Sequence, residues 1–139
     1  MPEAPFLTYS ETRAELRHVL DTAESGVPVG VQRHGQQVAI VDREHLVDTL
    51  RSSALLPRPE AVAEAGGWSI LLPGTPIAAD GATLDEASEE FILALREYAE
   101  DWNDHLRLAG NHAGNWALVQ FVALSPDDAL LAWLRGEAR

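Results

Sequence analysis

An α+β fold is predicted for this 139-residue chain from three observations. Apolar residues recur at three- and four-residue spacing in several stretches, as on helix faces. Between two such stretches, Val27 to Ile40 alternates apolar and small or polar residues around a glycine turn, as in a hairpin. A break at Leu56-Pro57-Arg58-Pro59 divides the chain into residues 1–56 and a mainly helical region, 57–139, with a short strand or hairpin.

Phe6 to Tyr9 reads as a short strand, and Ser10 as the cap of a first helix. Leu16, Val19, Leu20 and Ala23 form that helix's apolar face, and Gly26 stands where it stops. Val27, Val29 and Val31 mark a strand, Arg33-His34-Gly35-Gln36 a turn, and Val38 with Ile40 the returning strand. Asp42 caps a second helix whose Leu46, Val47 and Leu50 face inward. The order to residue 55 is β-α-β-β-α. Below about 60 residues a single core buries too little surface to be secure, and the hairpin leaves strand edges to cover. Two copies sharing one sheet and one core remove both problems, so a homodimer is expected.

In the second region, Glu60 to Glu64 is expected to form a helical turn or two, and Trp68 to Leu72 a strand, with a weaker one at Ile77 to Ala79. Thr83 caps the strongest helix, with Asp85 and Glu86 in the first turn, where the helix dipole favours them. Its apolar positions are Leu84, Ala87, Phe91, Leu95, Tyr98, Trp102 and Leu106, and it ends near Gly110. Asn115 to Leu124 reads as helix or strand. Ser125 caps a last helix with Pro126 at its first position.

Hydrophobic residues make up 46% of the chain, enough for a packed core, and there is no cysteine, which excludes disulfides and thiolate metal sites. No apolar run approaches the roughly 20 residues of a membrane span. The N-terminus shows no secretory signal, so a cytoplasmic protein with no membrane contact is expected. Net charge is −12 and unevenly placed: residues 1–60 carry six arginines against nine acidic residues, residues 61–139 four against thirteen. The second region would repel DNA and attract a basic partner. Asp101, His105 and His112 lack a second ligand pair for a metal, and no nucleophile turn or phosphate loop accompanies the Ser, His and Asp residues. Neither an enzyme nor a cofactor is expected.

A helix start suits a phosphate, which Ser10 could also bond, and Arg13 lies one turn in. Its neighbours three and four away are Tyr9, Ser10, Leu16 and Arg17, none of them a carboxylate. Arg13 and Arg17, four apart on one face, repel.

The stretch "YSETRAELRHVLDTAESGVPVGVQRHGQQVAIVDREHL" resembles the prevent-host-death (Phd/YefM) antitoxin family, matching at Val29, Val31, Arg33, Gly35, Val38, Ile40, Val41 and Leu46. "GATLDEASEEFILALREY" is similar to the start of the main helix in HicB-like antitoxin domains, and the two-part layout to Phd-like antitoxins of RelB/RelE-type toxin–antitoxin systems. The resemblance implies a dimeric N-terminal platform that binds operator DNA and represses its own operon. Carried over by position, its contacts are Tyr9, Ser10, Arg13, Arg33 and His34. It also implies a basic toxin partner, an RNase of RelE type. The carboxylates on the polar side of the long helix, Glu86, Glu89, Glu90, Glu97, Glu100, Asp101 and Asp104, are expected to bind it. Trp68, Trp102, Trp116 and Trp133 are expected in the core. The alternative is a stand-alone regulator without a toxin.

Overall fold

The computed structural model describes residues 6–136. The chain forms two compact units, Met1–Asp48 and Thr49–Arg139, each with a three-stranded sheet. With six α-helices among the described residues, the fold is mixed α+β.

In the first unit, β1 (Leu7–Thr8) leads into α1 (Tyr9–Ala14) and α2 (Leu16–Glu24), followed by β2 (Val29–Arg33) and β3 (Gln36–Ile40). β2 lies between parallel β1 and antiparallel β3, with Val31 opposite Val38 and Arg33 opposite Gln36. The hairpin turns through His34 (φ 49°) and Gly35 (φ 76°). Both central residues are left-handed, the geometry whose twist matches the flanking strands. α3 (Arg43–Arg51) begins at Asp42, whose carboxylate accepts from the His45 N–H at 3.1 Å.

Two expectations fail here. Ser10 is not the cap. Thr8 sits at φ −73°, ψ 164°, its hydroxyl accepts from the Glu11 N–H, and the Glu11 carboxylate accepts from the Thr8 N–H. This capping box forms at Thr8 because pairing with β2 holds Thr8 extended, opposite Gln32. The first helix is also broken, at Glu15 (φ −117°, ψ 29°), so Arg13 and Arg17 do not lie one regular turn apart.

The unit's described core is small. Only Val19, Ala23 and Val31 are buried, whereas Leu16, Leu20, Val27, Val38 and Val41 are exposed. Half of the apolar face foreseen on α2 therefore meets solvent.

The second unit packs around α4 (Leu84–Asp104), which covers β5 (Gly67–Leu71) and β6 (Ala78–Gly81). Thr83 caps α4, its hydroxyl accepting from the Glu86 N–H. Ala87, Phe91, Ile92, Leu95, Tyr98 and Trp102 form its buried face. α5 (Trp116–Leu124) and α6 (Asp127–Leu134) close the core, with Phe121 edge-on to Trp133 at 5.1 Å. The sheet approaches α4 through Gly81, where an added Cβ would come within 2.9 Å of the Ala87 Cα.

Several local expectations are corrected. Glu60–Glu64 is not a helical turn but strand β4, antiparallel to β5 with Ala61 opposite Ile70. α4 ends at Asp104, short of Gly110, and a 3-10 turn, Leu106–Leu108, follows. Asn115–Leu124 resolves as helix from Trp116. Pro126, not Ser125, occupies the cap of α6, and the buried Ser125 hydroxyl has no hydrogen-bond partner.

Candidate functional site

Two surfaces carry the residues singled out from the sequence, one in each unit. In the first, the start of α1 and the β2–β3 turn meet. The Arg33 guanidinium stacks over the Tyr9 ring, 5.6 Å from its centroid, an attraction of about 0.5–1 kcal/mol at an exposed site. Tyr9, Ser10, Arg33 and His34 line one open cleft of about 400 Å³, with Gln32 between them. A neighbouring hollow of about 280 Å³ is bordered by Tyr9, Arg33, Gln36 and Val38.

Arg13 does not line either hollow. It is exposed in the last turn of α1 and makes no ion pair among the described residues. The helix start itself is less suited to an anion than expected, because the Glu11 carboxylate already folds back onto it. The cleft's cationic character therefore comes from the hairpin tip. Gln32, not singled out from the sequence, adds an amide group to its wall, and Gln36 adds one to the neighbouring hollow.

In the second unit, α4 separates its chemistry by angle. At about 100° per residue, Glu86, Glu89, Glu90, Glu97, Glu100, Asp101 and Asp104 fall within an arc of about 120°, opposite the buried residues. All seven are exposed. Leu93, 56% exposed, lies in the middle of the same arc. Glu86 is partly engaged, its carboxylate accepting from the Ala82 N–H at 3.0 Å. Asp104 bonds the neighbouring His105 ring at 3.0 Å.

Arg96, the sole cation on α4, does not neutralise this arc. Its guanidinium donates to the Val122 and Ser125 carbonyls and to the Asp127 carboxylate. It thereby ties the end of α5 and the start of α6 to the middle of α4. No local sequence signal announces that role, since its partners lie 26 to 31 residues away.

A polar cluster beside α4 is structural. Tyr98 bonds the His112 ring at 2.8 Å, Asn115 donates to the Tyr98 hydroxyl, and the Trp102 indole donates to the His112 carbonyl. These bonds hold the segment after α4 against its side. Trp102 and Trp133 are buried and Trp68 is half-buried, but Trp116 is 52% exposed and does not belong to the core. Among the described residues, no group of three or more His, Cys, Asp or Glu could hold a metal ion, and no helix is long and apolar enough to cross a membrane.

A family model described as PHD_like, antitoxin of toxin–antitoxin, RelE/RelB, TA system, matches residues 5–117. The fold is similar to a crystal structure of an antitoxin from Syntrophomonas wolfei subsp. wolfei, with a TM-score of 0.76 over 93% of this chain and 95% of that one. The two sequences are 21% identical, so this likeness speaks for the fold alone. No curated protein matches the chain.

Proposed function

Because this chain belongs to the PHD_like family, antitoxins of RelE/RelB toxin–antitoxin systems, we propose a division of labour between its two units. The first unit pairs with a second copy, binds operator DNA in the Phd/YefM manner and represses its own operon. The second unit binds and neutralises a basic toxin, an RNase of RelE type. The observation that carries the reading is the carboxylate arc of α4, exposed along the helix and left without a cation by the inward commitment of Arg96. A basic RNA-binding protein would meet on that arc the charge pattern that its nucleic acid otherwise supplies.

Two further features support the first unit's role. Leu16, Leu20, Val27, Val38 and Val41 remain exposed on a unit with three buried apolar residues, as expected where a second copy completes the core. Two copies would also double the Tyr9–Arg33–His34 cleft, giving two cationic contacts for the phosphate backbone. With so few cations, DNA affinity should be weak, and its salt slope should count only the few phosphates neutralised. The affinity should rise when the toxin's charge offsets the acidic second unit.

The decisive experiment coexpresses this chain with the product of the reading frame adjacent to its own, which the proposal expects to be a small basic protein. Wild-type chain should restore growth and copurify with that protein. The triple reversal Glu97→Arg, Glu100→Arg, Asp101→Arg should lose both effects while the melting midpoint is retained. Full rescue by the triple variant would refute the α4 assignment.

A further inference from the structure

The second sheet has the strand order β4-β5-β6, so β4 and β6 are its edge strands, and among the described residues no strand pairs with the outer edge of β4. α4 packs on β5 and β6, and all five residues of β4 are exposed. A strand with both faces and one edge in water adds little to the core that holds it. Its outward N–H and C=O groups form a template for one more strand.

The chemistry of that template is one-sided. Residues directly opposite in the register share a face. Ala61 and Ala63 therefore lie on the side of Ile70 and Trp68, and Glu60, Val62 and Glu64 on the side of Leu71 and Ser69. Asp80, opposite Ser69, lies on that same face. Glu60 and Glu64 thus flank Val62, Asp80 lies beyond Ser69 on the same face, and no basic residue occurs from 60 to 81.

We infer that β4 accepts an extended strand from a basic protein partner, presenting basic–x–apolar–x–basic opposite Glu60, Val62 and Glu64. A second copy of this chain fits the edge poorly. Antiparallel self-pairing centred on Val62 sets Glu60 against Glu64 twice, and like charges directly opposite are destabilising. Self-pairing centred on Ala61 brings Arg58 to Glu64, but draws Pro59, which has no N–H, into the ladder. Acidic side chains that discourage self-pairing are the ones that select a cationic strand. The inference rests on the proposed capture of a basic toxin and adds the mode: main-chain pairing at β4, separate from the carboxylate arc of α4.

The test uses the full chain in complex with the product of the adjacent reading frame, expected under the proposed function to be basic. Hydrogen exchange at 60–64 should slow about tenfold or more on complex formation. Glu60→Lys combined with Glu64→Lys should weaken the complex about tenfold or more, with the melting midpoint unchanged. Unaltered exchange at 60–64 in the complex overturns the inference. So does protection of the same amides in the free protein that disappears on dilution, which would assign the edge to a second copy. If the α4 triple reversal abolishes the complex while the β4 double reversal leaves it intact, strand addition falls and the proposed function stands. If wild-type chain forms no complex with that protein, the proposed function fails and strand addition fails with it.

Discussion

Replacing Arg96 with alanine tests how the second unit is held together. Three acceptors lose the guanidinium as donor: the Val122 and Ser125 carbonyls and Asp127, the Nη2 bonds to the last two being 2.8 and 2.7 Å. They do not count equally. Asp127 is 70% exposed, and an ion pair so open to water contributes about 0–1 kcal/mol. The carbonyls matter more. They stand at the end of α5, where, among the described residues, the Val122 carbonyl otherwise accepts only the Ser125 N–H at 3.4 Å, and hydrogen bonds from a charged donor contribute about 1.5–3 kcal/mol. Arg96 is itself 34% exposed, which argues for the lower part of that range. Arg96→Ala should therefore cost about 2–3 kcal/mol. In a unit of this size that lowers the melting midpoint by roughly 10 °C or more. Asp127→Asn should cost under about 1 kcal/mol, because it leaves both carbonyl bonds in place. Arg96→Lys should fall between, since one ammonium cannot reach all three acceptors as a planar fork does. Urea unfolding followed by tryptophan fluorescence reads all three variants. If Asp127→Asn costs as much as Arg96→Ala, or if Arg96→Ala costs under about 0.5 kcal/mol, the carbonyl-clamp reasoning is wrong.

Gly81→Ala should cost about 3 kcal/mol or more, or prevent the second unit from folding, because the new Cβ meets helix backbone that cannot give way; near-ultraviolet circular dichroism of the tryptophans would show it. Ser125→Ala should stabilise the protein by about 1 kcal/mol in chemical unfolding, since it removes a buried hydroxyl with no partner. The carboxyl of Asp42 is held below its ordinary value, first by the His45 side-chain hydrogen bond and then by the His45 backbone N–H. A lowered native pKa gives stability that is present above the unfolded value of 3.8 and lost as pH falls through the native one. The gap in melting midpoint between wild type and Asp42→Ala should accordingly close as pH falls below about 4. Gel-shift binding to the protein's own promoter should weaken sharply for Arg33→Ala, and more than for Arg13→Ala, because only Arg33 lies in the Tyr9 cleft.

Much of the scaffold is legible in the chain because its causes are local. Caps work across three residues, so Thr83 and Asp42 announce the starts of α4 and α3. Periodicity works across one or two turns, so the buried and acidic faces of α4 can be laid out before any packing is known. The His34–Gly35 turn follows from the glycine and the alternation on either side. The candidate cleft is half legible: Tyr9, Ser10, Arg33 and His34 are nameable one by one, but their meeting needs β1 to lie against β2.

What the chain could not decide by itself was every choice between two locally acceptable answers. Glu-Ala-Val-Ala-Glu suits a helix by propensity, yet pairing with β5 makes it a strand. Thr8 and Ser10 are both good caps, and the strand pairing that extends Thr8 selects between them. The run around Val119 and Phe121 fits either period, and burial against α4 makes it a helix. Arg96 looks like an ordinary exposed cation until α5 and α6 bring their carbonyls to it. Local hydrogen bonds and side-chain spacing belong to the sequence. Contacts between distant segments exist only once the chain has folded, and they decide the cases that propensity leaves balanced within about 1 kcal/mol.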